Sequence, residues 1–243
     1  MAKLMISLSS IIMIMMTSNL MAATKSIKVI YGEDNRVDVF ESTNSMYVEL
    51  AKSTAAMINS YNLTEKTESG MTELRGNSLQ SRGMCSTERF AAQPTTASCS
   101  GFLVGENLLV TAGHCIKSKS DCQKYKWVFD YKVDTADQTK VSVPTSSVYS
   151  CKNVVNTVLD NAGMNDFALI ELDRKVKDRR VLDYRRSGKI VSGTKLVVIG
   201  HPSGLPSKIA DGASVRSLKK NYFRADLDTY GGNSGSAVFN AAT

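Results

Sequence analysis

Residues 99–115 read Cys99-Ser100-Gly101-Phe102-Leu103-Val104-Gly105-Glu106-Asn107-Leu108-Leu109-Val110-Thr111-Ala112-Gly113-His114-Cys115. Two apolar runs, Phe102-Leu103-Val104 and Leu108-Leu109-Val110, are separated by turn residues. Runs of the same kind recur further along the chain: Trp127-Val128-Phe129, Ala168-Leu169-Ile170, Leu196-Val197-Val198-Ile199 and Ala237-Val238-Phe239. Short runs bounded by turn residues, with little helical periodicity between them, predict an all-β fold. Periodicity leaves sandwich and barrel both open.

Composition narrows the function classes. The chain has 243 residues, 42% hydrophobic and 22% charged, the profile of a globular protein rather than a disordered or fibrous one. Its net charge is +7, but the basic residues are scattered and no basic aromatic platform is present, so no nucleic-acid partner is expected. The densest basic stretch, residues 174–180, contains Asp178 and follows Asp173, and reads as a solvated loop.

At the N-terminus Lys3 precedes an apolar core from Leu4 to Met16, and Ala22 and Ala23 offer small residues for cleavage. The run is too short to span a bilayer, so residues 1–23 read as a signal peptide and no stable membrane anchor is expected. Export to the extracellular space or periplasm would let the five cysteines pair, with one left over. There is no C-x-x-C pair and there are only two histidines, so no metal site is expected.

Residues 24–88 differ from the rest and are read as an N-terminal segment or propeptide, with 89–243 as the main domain. Lys28-Val29-Ile30-Tyr31 predicts a short strand. Val48, Ala51, Ala55 and Ile58 recur at helical spacing and predict a modest amphipathic helix. Residues 62–88, rich in Ser, Thr and Gly, read as a linker or processing region, with Arg75-Gly76 and Arg82-Gly83 as candidate cuts.

Hydrolysis of an amide needs a nucleophile, a base, a group that orients the base, and donors for the oxyanion. Three segments bear on this. The opening stretch, with His114 beside Cys115 and Cys99 upstream, resembles the catalytic-histidine hairpin of the chymotrypsin-like serine proteases. Gly231-Gly232-Asn233-Ser234-Gly235-Ser236 resembles that family's Gly-x-Ser-Gly nucleophile loop. Asn165-Asp166-Phe167-Ala168-Leu169-Ile170 resembles its Asp-x-Ala-Leu segment. The order His, Asp, Ser is the family's own and differs from those of subtilisins and α/β-hydrolases.

The resemblance implies two six-stranded Greek-key β-barrels, the second incomplete at the C-terminus. It implies a secreted, monomeric endopeptidase acting on protein or peptide substrates without a cofactor. His114, Asp166 and Ser234 would form the triad, and the N–H groups of Gly232 and Ser234 the oxyanion hole. Cys99–Cys115 is the pair the family's hairpin implies, Cys122–Cys151 a second pair, and Cys85 is left over. Asn233 stands where digestive members carry an Asp that pairs with a new N-terminus, so the similarity lies with the bacterial branch that includes glutamyl endopeptidases.

Asp228 lies where trypsin selects Arg and Lys, while Asp228-Thr229-Tyr230-Gly231-Gly232 also resembles glutamyl endopeptidases, so both residues are specificity-pocket candidates. The chain stops at Thr243, short of the family's last strands, and a fragment of weak or no activity is expected on that ground. The competing class is a non-catalytic binding protein on a protease scaffold.

Overall fold

The computed structural model describes residues 29–242. The signal-peptide reading of residues 1–23, and Lys28, lie outside them. In chain order the strands are β1 (Arg36–Asp38), β2 (Thr54–Asn59), β3 (Leu63–Lys66), β4 (Met71–Leu74), β5 (Asn77–Ser78), β6 (Pro94–Thr95), β7 (Ala97–Gly105) and β8 (Leu108–Thr111). Then follow β9 (Tyr125–Val128), β10 (Val141–Pro144), β11 (Val148–Asp160), β12 (Asn165–Leu172), β13 (Lys195–Gly200), β14 (Lys208–Leu218), β15 (Phe223–Ala225) and β16 (Ala237–Asn240). Two helices of modest length, α1 (Ser45–Lys52) and α2 (Lys119–Lys124), interrupt them.

Six strands close into a barrel in the order β11-β12-β8-β7-β2-β9. The alternation along β12 shows why: Ala168, Ile170 and Leu172 are fully buried, while Leu169 and Glu171 between them are only partly so. Those inward residues meet Leu103, Leu109, Trp127 and Phe129 in the barrel core. Each of the Leu, Ile and Phe side chains among them contributes about 1.5–3 kcal/mol by leaving water.

Where the sequence predicts a single amphipathic helix, the structure divides the stretch. Helix α1 ends at Lys52, and Ala55 and Ile58 belong to strand β2. The cause lies in the burial of β2 on both faces. Ala55 and Met57 join the barrel core, while Ala56 and Ile58 pack outward against Leu74, Val128, Tyr131, Val141 and Val143. A strand covered on both sides loses its alternation and cannot be told from a helix by period.

The outer cover is a three-stranded sheet, β10-β4-β3. Its β3–β4 hairpin comes from the polar stretch read as a linker, so that part of the chain is structured. The expected strand over Lys28–Tyr31 is likewise not formed across its described residues, and the first strand is β1 at Arg36–Asp38. A boundary at residue 88 would cut through the closed barrel, because β2 pairs with both β7 and β9.

The second unit is an open five-stranded sheet, β1-β14-β13-β16 with β15 on β14. A second closed barrel is not seen among the described residues. Lys208 of β14 and Asp38 of β1 face each other in register as a fully buried ion pair, Nζ to Oδ1 2.5 Å, with Gln93 Oε1 accepting at 2.7 Å. Removing one partner of such a pair costs about 3–5 kcal/mol, because the other charge stays buried. Between the two units, the buried Tyr131 hydroxyl donates to Pro94 O at 2.7 Å, and its ring stacks on His201.

Candidate active site

Strand β8 ends at Thr111, and the turn Ala112-Gly113-His114-Cys115 follows. A side chain at Gly113 would bring a Cβ to 2.0 Å from Val158 O, so only glycine lets this turn lie against the β11–β12 pair. Asp166 stands on β12 opposite Leu159. The close approach lets one carboxylate hold His114 twice: Oδ2 lies 2.6 Å from Nδ1, and Oδ1 accepts the backbone N–H at 2.8 Å. Burial raises the Asp166 pKa, but the hydrogen bonds from the His114 ring and backbone and from Gly113 N–H outweigh it, and the carboxyl sits below its ordinary value. The ring remains open to solvent on its other side.

The disulfide Cys99–Cys115 ties the residue after His114 to β7, and Cys122–Cys151 ties α2 to β11. Both expected pairs form, and Cys85 is an exposed free thiol. The donors of Cys99, His114 and Cys115 cluster within 4.8 Å of one another, but two of the three are disulfide sulfurs and cannot serve as thiolate ligands.

The loop carrying Ser234 docks on the same part of the barrel. Ser100 N–H donates to Ser234 O at 2.8 Å, and Cys115 Sγ lies 4.0 Å from that oxygen. Gly232 adopts φ +98°, and a Cβ there would stand 2.4 Å from His201 O. Among the described residues no acceptor pairs the N–H of Gly232 or of Ser234, and no hydrogen bond joins Ser234 Oγ to His114. Asn233 turns its amide oxygen back to Ser236 Oγ at 3.2 Å, within the loop itself.

The carboxylate of Asp228 is taken up by backbone donors. The residue is 4% exposed, and its two oxygens accept the backbone N–H groups of Tyr31 at 2.8 Å and Asn35 at 3.1 Å. Thr229 N–H donates to Val29 O at 3.1 Å, and Arg36 stacks over the Tyr230 ring. Segment 29–36 is therefore bound directly to residues 228–230, which lead into the loop carrying Ser234. No local pattern reveals this, since the contact spans nearly the whole chain.

His201, the second histidine, is fully buried, with Nδ1 3.0 Å from Leu205 O and Nε2 without a partner among the described residues. Burial lowers its pKa to about 4. No local motif singles out Ser100, whose hydroxyl contacts Gly232 O in the loop carrying Ser234.

Residues 99–243 match the family model of the trypsin-like peptidase domain. A curated relative, the uncharacterized protein y4fB of Sinorhizobium fredii, is 27% identical over 165 residues, covering 58% of this chain and 23% of that protein. The chain thus spans about a quarter of the length of the curated relative it matches. Among solved structures, a Glu endopeptidase in complex with MPD aligns over 88% of this chain and 83% of its own, with 18% identity and a TM-score of 0.50. The Vibrio cholerae VesB protease aligns over 85% and 56%, with 15% identity and a TM-score of 0.53. The human heparin binding protein aligns over 87% and 80%, with 13% identity and a TM-score of 0.52. At these identities the structures share the fold and nothing finer.

Proposed function

The chain belongs to the trypsin-like peptidase family, and from that premise we propose that it is a serine endopeptidase using Ser234, His114 and Asp166. The observation that carries the reading is the double hold of Asp166 on His114. With Nδ1–H donated to the carboxylate, the lone pair of Nε2 is free to act as base. His114 takes the Ser234 proton as Oγ bonds to the scissile carbonyl carbon. The oxyanion forms against the N–H groups of Gly232 and Ser234. His114 then gives that proton to the leaving amine, the C–N bond breaks, and water hydrolyses the acyl-enzyme by the same route.

The substrates are peptides, no cofactor or nucleic acid takes part, and the chain acts as a monomer. Two disulfides support an extracellular or periplasmic site of action. The specificity pocket is assigned to the segment carrying Asp228 and Thr229, with Asp228 anchoring its wall through Tyr31 and Asn35.

The test is covalent labelling with a fluorophosphonate probe, together with hydrolysis of a casein or peptide-library substrate. Labelling that maps to Ser234 and vanishes in Ser234→Ala is the expected result. A folded protein that neither labels nor hydrolyses would overturn the reading. That result would favour a binding protein on the same scaffold, a class represented among the structural neighbours by a protein named for binding heparin.

A further inference from the structure

The oxyanion loop is held by its peptide planes. In a trans peptide the C=O and N–H point opposite ways, so pinning a carbonyl aims the following N–H. Gly231 O accepts Ser203 N–H at 2.6 Å, which turns Gly232 N–H the other way. Asn233 O accepts Ser236 N–H at 2.9 Å and does the same for Ser234 N–H. The plane between them, Gly232–Asn233, joins the two donors. Its N–H goes to Tyr230 O at 3.1 Å, and its carbonyl goes to a single side chain, Ser100.

Ser100 is fully buried on β7, beside the disulfide at Cys99. Its Oγ lies 3.0 Å from His201 N and 2.8 Å from Gly232 O. The direction of both bonds follows without choice. A backbone N–H only donates, so Oγ accepts from His201, and the one hydroxyl proton goes to Gly232 O. Thr111 Oγ1 donates to Ser100 O at 2.7 Å, which fixes the clamp from behind.

We propose that the Ser100 hydroxyl is a positioning group for the oxyanion hole, locking the Gly232–Asn233 plane to the barrel that carries His114 and Asp166. The role for catalysis rests on Ser234 being the nucleophile. Without the hydroxyl, Gly232 O, partly buried, and the buried His201 N–H both lose their protein partner. Gly232, free of a Cβ, then has the backbone latitude to rotate. The donors lose alignment with the developing oxyanion, whereas substrate binding elsewhere is untouched.

Amide exchange and active-site labelling of Ser100→Ala, measured on the full chain, test this. The amides of Asn233 and Ser236 are expected to exchange at least about tenfold faster, with those of β8 and β12 unchanged. Fluorophosphonate labelling should slow by about tenfold or more, and kcat should fall with little change in KM. Ser100→Thr, which keeps the hydroxyl, should hold the loop amides near the original rate. Loop exchange and labelling both within twofold of the original chain would overturn the proposal, as would uniform acceleration throughout the barrel. Loop amides that respond while the original chain never labels would support the clamp and refute Ser234 as nucleophile.

Discussion

Asp166 grips His114 at two points, with Oδ2 2.6 Å from Nδ1 and Oδ1 accepting the backbone N–H at 2.8 Å. The bond to the ring sets the tautomer, and the bond to the backbone sets the height of the turn that carries it. Asp166→Asn cannot accept at both places and is expected to lower kcat by about 10⁴, as loss of the correct tautomer does in the serine-protease template. The Asp166 pKa is held below its ordinary 3.8, because the hydrogen bonds it accepts outweigh the upward push of burial. Its contribution to stability is thus present above that value and lost as pH falls through the lower folded value. Denaturant titrations should show the gap between the original chain and Asp166→Asn at pH 7, narrowing in strong acid.

His201 carries a stability effect of its own. Burial lowers its pKa from 6.5 to about 4, so the unfolded chain takes up this proton at a higher pH than the folded one. Stability from this group is complete above about pH 6.5 and declines as the pH falls toward 4, by roughly 3 kcal/mol in all. Urea midpoints measured across that window should fall steeply for the original chain. In His201→Phe the slope should be shallower, and equal slopes would show that His201 is not buried neutral.

Asp228→Asn separates anchoring from selection. The amide keeps one acceptor oxygen where the carboxylate offers two, so one of the bonds to Tyr31 or Asn35 is lost at a cost of about 1–3 kcal/mol. The melting temperature should drop, while the ratio of cleavage after Arg or Lys to cleavage after Glu stays within about twofold in a peptide library. A collapse of Arg and Lys cleavage alone would return Asp228 to the pocket floor.

The barrel needs its early strand. A chain of residues 89–243 lacks β2, whose Ala55, Ala56 and Ile58 are fully buried, and leaves the edges of β7 and β9 unpaired. It is expected to be insoluble or unfolded by circular dichroism, whereas a chain of residues 29–243 folds. Soluble, cooperatively melting 89–243 would show that the segment before residue 88 is dispensable.

Much of the candidate site is legible along the chain. The stretch from Cys99 to Cys115, the Asp166 segment and the Ser234 loop are local motifs, and each motif reflects a local backbone demand: a hairpin, a strand entry, a glycine turn. The pair Cys99–Cys115 is legible through the family resemblance of its hairpin, and the structure also forms the expected second pair, Cys122–Cys151. By itself, then, the sequence determined the β class, the family resemblance and the three candidate reactive side chains. Only the tertiary structure decided that Thr54–Asn59 is a barrel strand, that Asp228 binds Tyr31 and Asn35, and that the Ser100 hydroxyl reaches Gly232 O. Local pattern records one buried face and one turn at a time. A strand buried on both faces, a carboxylate satisfied from the far end of the chain and a hydroxyl shared between two units leave no such periodic trace, because their partners are chosen by which surfaces meet.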